Sequence, residues 1–79
     1  MEVKDTMKII SINVNSIVSN NTRFNLLNFI NKHEPDVCLF SETKLNKTHK
    51  LSFKDYSLIR NDRRDSLFGG GTAILIKII

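Results

Sequence analysis

The sequence predicts a small α/β domain in which a β-α-β unit is followed by two further strands, giving the order β-α-β-β-β. Three observations carry that expectation. A run rich in β-branched residues, "MKIISINV", comes first; an amphipathic stretch, "TRFNLLNFINKH", follows and stops at a proline; and a second apolar run, "VCLF", begins at Val37. With 79 residues only one such domain fits. A globule of that size hides only about 60% of the surface its unfolded chain exposes, so its core must be thin.

Residues 1–6 show no periodicity and are expected to be disordered. The first strand is predicted over Met7 to Val14, ending at an Asn- and Ser-rich loop, "NSIVSNN". Asn20 or Asn21 offers an N-cap for the helix, on which Leu26, Leu27, Phe29 and Ile30 gather on one side while Asn25, Asn28 and Lys32 fall opposite. Glu34 precedes Pro35, whose ring pushes it out of helical geometry, so the helix should end there. Val37 to Phe40 read as a buried second strand.

Two strands joined by a crossover helix run parallel, and their carboxyl ends emerge on one edge of the sheet. Asn13 and Asn15 should therefore lie beside Glu42, although they are distant in sequence. Ligands of open α/β sheets collect at that edge. Beyond it come a basic loop, "TKLNKTHK", a short strand near Tyr56 to Arg60, a charged turn, "NDRRD", and a glycine turn at Gly69 to Gly71. The last strand, "TAILIKII", runs to the end of the chain, where an uncovered apolar edge would be an aggregation hazard.

Hydrophobic content of 41% with 25% charged residues is ordinary for a globular chain. The opening "MEVKDTMK" is too charged for a signal peptide, and "AILIKII" falls far short of the roughly 20 residues of a membrane span. The expectation is a soluble intracellular protein, nuclear or cytoplasmic, without a membrane partner. A net charge of +4 and a pI of 9.5 lean toward polyanions. If all the excess charge met DNA phosphates, a fourfold rise in salt would cost on the order of a hundredfold in affinity, a steering-level attraction. Cys38 is the single cysteine, which excludes an internal disulfide and a multi-cysteine zinc site, and its apolar setting marks it as core.

Glu42 interrupts an apolar run between two hydroxyl residues, Ser41 and Thr43. One carboxylate suits Mg²⁺, which takes one or two from the protein and fills its shell with waters and substrate phosphates. A glutamate just past a strand is more commonly a solvated loop residue. Asn13 and Asn15 offer amides that can orient such a carboxylate or donate to phosphate, although asparagine also ends strands simply because it tolerates turns. Lys44 can pair with Glu42 or with phosphate. His33 and His49 have no partner at metal-ligand spacing and are set aside. The glycine run lacks a following Lys-Ser/Thr and opens no helix, which excludes a phosphate-binding P-loop. Arg60, Arg63 and Arg64 could touch phosphate or form a solvated turn.

Taken together, "IISINVNSI", "HEPDVCLFSETKL" and "DYSLIRNDRRDSLFGGGTAILIK" resemble the start of the endonuclease/exonuclease/phosphatase superfamily, whose fold is the DNase I-like α/β sandwich. The likeness is greatest to the apurinic-type endonuclease domains that precede reverse transcriptase in non-long-terminal-repeat retrotransposons, and it runs from about Met7 to Lys77. The resemblance implies that Glu42 binds the divalent metal, Mg²⁺ or Mn²⁺, and that Asn13 sits near the scissile phosphate. Asn15, Lys44 and Arg63 would then be phosphate- or DNA-binding, and Tyr56 matches only at the level of the fold. Ser16 stands where many members have glycine, and Ser41 where many have glutamine. An Asp-x-Asn segment, a further aspartate and a terminal Asp-His pair belong to the family and do not occur in this sequence.

The resemblance thus implies an N-terminal portion, residues 7–79, of a Mg²⁺-dependent DNA endonuclease domain, truncated before its general base and inactive alone. Its partners would be DNA and a downstream reverse transcriptase domain. Two other readings stay open on the sequence: a small basic module that binds nucleic acid or another chain without catalysis, and a phosphatase of the same superfamily.

Overall fold

The computed structural model describes residues 6–62 and 70–78; the expected disorder of residues 1–6 lies, apart from Thr6, outside them. Strand β1 is Ile9–Asn13, helix α1 Asn20–His33, β2 Val37–Ser41, β3 Tyr56–Asn61 and β4 Thr72–Lys77. The β-α-β-β-β order is thus as the sequence predicts. β1 pairs parallel with β2 in the register Ile9↔Val37 to Asn13↔Ser41. β4 lies antiparallel between β2 and β3, and the sheet order is β1-β2-β4-β3. It is a small α/β domain with one helix and a four-stranded mixed sheet.

The helix begins one or two residues earlier than the asparagines suggest. Ser19 is the N-cap, its Oγ accepting from the Thr22 backbone N–H at 3.2 Å. At the other end Glu34 does leave helical geometry, into the left-handed region (φ 46°, ψ 54°) rather than the extended one, and its N–H donates to the Ile30 carbonyl at 2.8 Å. A left-handed C-cap satisfies a terminal carbonyl that an extended residue would leave open. The Lys8 ammonium donates to another carbonyl of the last turn, that of His33, at 2.8 Å. Lys8 also fastens the amino ends of β1 and β2: its N–H donates to the Asp36 carboxylate at 2.7 Å, and its carbonyl accepts from Asp36 and Val37.

Leu26 and Ile30 of α1 bury against Cys38 and Phe40 of β2 and Ala73 and Leu75 of β4, with Ile17, Leu45 and Phe53 added from loops. Leu27, expected on that apolar side, is 38% exposed instead. It sits beside the segment carrying Leu51 and Phe53, at the rim of the core and outside its centre.

The second strand is buried on one face only. Cys38 and Phe40 point into the core, whereas Leu39 is 37% exposed and Val37 half-buried. Alternation of this kind means that only one face of the strand is covered. The registers place Ile9, Leu39, Ile74, Ile76 and Ile59 on the opposite face, and all five are exposed. The last strand is therefore no exposed edge: β4 is interior, β1 and β3 are the edges, and the uncovered apolar surface is a sheet face.

Candidate functional site

At the carboxyl edge the parallel pairing of β1 and β2 continues past the strands. The Val14 N–H donates to the Ser41 carbonyl at 3.0 Å, that of Ser16 to Glu42 at 2.7 Å, and that of Ile17 to Thr43 at 3.0 Å. On its other side the same segment meets the glycine turn, with Thr43 N–H donating to Gly71 O at 3.2 Å and Lys44 N–H to Gly70 O at 2.9 Å. The backbone around Glu42 is thus clamped between two neighbouring segments. Thr43, buried completely, is the midpoint of the clamp.

Backbone strain concentrates there. Among the described residues six that are not glycine have positive φ, and four of them, Asn15 (45°), Ser16 (86°), Glu42 (57°) and Lys44 (57°), lie on this rim. Positions of this kind cost of order 1–3 kcal/mol each and persist only where surrounding bonds over-determine them. The clamp supplies those bonds. Gly70 and Gly71 also have positive φ, at 78° and 86°, which glycine adopts without steric cost. Their turn is what brings the Gly70 N–H to the acid.

The Glu42 side chain is half-buried, and its Oε2 accepts from the Gly70 N–H at 2.8 Å; its second oxygen has no partner among the described residues. The Asn13 Oδ1 accepts from the Asn15 N–H at 3.1 Å, a local Asx turn that leaves its amide NH₂ to face solvent. The Asn15 Oδ1 accepts from the Lys44 ammonium at 2.9 Å. Lys44 therefore pairs with an amide, not with Glu42 as one sequence reading had it. The structure brings Asn13, Asn15, Glu42 and Lys44 to one lip. Arg63, the fifth candidate, lies outside the described residues, as does Arg64. A groove of about 340 Å³ opens next to Asn13, lined by Ile12, Val14, Leu26 and Phe29 among others.

Other candidates have structural employment. The Arg60 guanidinium forks onto the Asp62 carboxylate at 2.7 and 3.0 Å and donates to the carbonyls of His49 and Asn46, so it ties the basic loop to β3 and is not free for phosphate. The His49 Nδ1 accepts from the Asn46 N–H at 3.0 Å. Tyr56 stands at the opposite end of the sheet, donating to the Pro35 carbonyl at 2.7 Å; burial first, then the nearby Glu34 and Asp36 carboxylates, hold its pKa above the ordinary phenol value. Burial likewise pushes the Cys38 thiol up to about 11, so it is no nucleophile.

Sequence reasoning missed the part played by the glycines, which it read as a tight turn into the last strand; that this strand pairs with the acid's strand comes only from the structure. It also missed Thr43, which nothing in the sequence distinguishes. Among the described residues no cluster of three or more His, Cys, Asp or Glu side chains is present. Among the described residues the lip offers one carboxylate with an unpartnered oxygen, two amides and one ammonium. No protein-family model matches the chain, and no curated protein matches it.

Proposed function

We propose that this chain supplies the metal-binding lip of a Mg²⁺- or Mn²⁺-dependent phosphodiesterase domain of the endonuclease/exonuclease/phosphatase superfamily, of the kind that nicks DNA in retrotransposons. The observation that carries the proposal is the backbone clamp that fixes Glu42 beside the end of β1, with Ser16 N–H on the Glu42 carbonyl and Gly70 N–H on its carboxylate. Two further features support it. The positive φ of Ser16 is a conformation that favours glycine, the residue many members carry there. The sheet keeps its helix on one face and an apolar surface on the other, which is what half of a sheet-on-sheet sandwich presents.

The donor set fits a hard dication in its minimal form: one carboxylate, anchored through Oε2 and open at the other oxygen, with waters and phosphate to complete the shell. When bound, such an ion polarises a phosphoryl oxygen and offsets charge on the leaving oxygen. The chain's own residues hold and orient. Asn13, its Oδ1 engaged by Asn15, presents an NH₂ that can only donate, as a phosphate oxygen requires. Lys44, held by Asn15, places a positive charge on the same lip. The one carboxylate at the lip is committed to the metal, and no second carboxylate or imidazole stands there among the described residues to take a proton from water, so the chain by itself is proposed to be inactive.

A plasmid-nicking assay with Mg²⁺ tests this, together with binding of Mn²⁺ followed by paramagnetic broadening of backbone amides. The expected result is broadening centred on Glu42, Thr43 and Gly70 with no nicking. Efficient nicking abolished by Glu42→Ala would overturn the inactivity, and absence of Mn²⁺ binding at the lip would overturn the metal site.

A further inference from the structure

A second feature lies on the helix layer, away from the lip. Phe24 on α1 is 62% exposed. It lines a cleft of about 240 Å³ together with Arg23 and Leu27 of α1 and Lys50, Leu51 and Phe53 of the segment that runs beside the helix. The Arg23 Nε donates to the Ile17 carbonyl at 2.8 Å, which aims the guanidinium while its Nη groups have no partner among the described residues. Lys50 is exposed and likewise unpaired there.

The charge around the cleft is one-sided. Arg23 and Lys50 are the charged residues of its lining among the described residues, and both are cations. An exposed aromatic ring between unpaired cations calls for a partner with flat π-faces and negative charge together. Unstacked nucleotides have both, whereas duplex DNA keeps its base faces inside the stack. The volume is below the roughly 300 Å³ at which drug-sized ligand pockets begin, so one ring system fits and a folded peptide does not.

We propose that this cleft binds single-stranded nucleic acid, one base stacking on Phe24 and the adjoining phosphate meeting Arg23 and Lys50. The site is separate from Glu42 and needs no metal.

The test is fluorescence anisotropy of a fluorescein-labelled oligothymidylate with the full chain in EDTA, beside a labelled duplex of equal length. Phe24→Ala is expected to weaken single-strand binding roughly five- to hundredfold while Phe24→Trp preserves it. Lys50→Ala should lower the salt slope for the single strand by about 0.7. Circular dichroism verifies the fold, which an exposed side chain's removal should leave intact. No binding in EDTA, unchanged single-strand affinity in Phe24→Ala, or an equal loss on the duplex would each overturn the proposal. So would loss of self-association in Phe24→Ala with oligonucleotide binding unaltered, since the cleft would then be a protein contact. Because metal is excluded, failure here leaves the Glu42 site standing, and failure of the lip to bind Mn²⁺ leaves this cleft standing.

Discussion

Replacing Glu42 by glutamine and by alanine separates the two jobs assigned to its carboxylate. Glutamine keeps an oxygen able to accept from Gly70 N–H, now 2.8 Å from Oε2, but removes the charge. Alanine removes both. A hydrogen bond to a charged acceptor contributes roughly 1.5–3 kcal/mol when buried, and a half-buried one about half of that, so Glu42→Ala should cost about 1–1.5 kcal/mol. Glu42→Gln exchanges a charged for a neutral acceptor and should cost about 0.5 kcal/mol. In urea, at a slope of about 1 kcal/mol/M for so small a chain, the midpoint should fall by about 1 M for alanine and half that or less for glutamine. Paramagnetic broadening by Mn²⁺ should behave differently, disappearing from the rim amides in both variants. If the glutamine variant binds Mn²⁺ as the native chain does, the carboxylate is not the ligand. If it unfolds as readily as the alanine variant, the bond to Gly70 is not what holds the lip.

Two further outcomes follow from burial. The Cys38 thiol ionises near 9.0 in its ordinary state and about 11 when buried. Between those values the unfolded chain has lost a proton that the folded chain keeps, so the slope of unfolding free energy with pH is negative, and stability should fall by about 2–3 kcal/mol as pH rises from 9 to 11. Cys38→Ala should flatten that part of a pH series of urea melts; an unchanged profile would refute the assignment. On neighbouring positions of β4, Leu75→Ala and Ile74→Thr should diverge, because Leu75 is fully buried and Ile74 lies on the uncovered face. The first should cost about 2–5 kcal/mol in thermal or urea melts. The second should cost little and should raise the concentration at which light scattering detects association, an effect whose absence would mean that the open face is not sticky.

Much of the fold was legible because its signals are local. β-Branched runs, helical spacing and a proline stop are each contained within a dozen residues, and they set β1, α1 and β2 in the right order. Parallel pairing then put Asn13 and Glu42 on one edge of the sheet, and the structure sets Asn13 opposite Ser41, next to Glu42. Position within the sheet was not legible in the same way. "TAILIKII" reads the same whether its neighbours lie on one side or both, and only the pairing of β4 with β2 and β3 makes it interior. Leu39 reads as core for the same reason: a sequence reports that a side chain is apolar, not that something covers it.

The lip was legible in composition and illegible in conformation. Asparagine tolerates the left-handed region that Asn15 enters, but Ser, Glu and Lys carry no mark that they will adopt φ between 57° and 86°, because each reaches that region only when its neighbours' bonds require it. Those bonds come from Gly70 and Gly71, far along the chain, and from the segment after β1. The same bonds account for the acid that follows "VCLFS". A strand that simply continued past Ser41 would alternate its side chains between the two faces. The turn to φ 57° at Glu42 ends the alternation, and the Gly70 N–H then meets the carboxylate at the place where the apolar rows stop. The strain and the acid are one device, since a relaxed extended backbone at this position would give Glu42 no reason to remain at the rim.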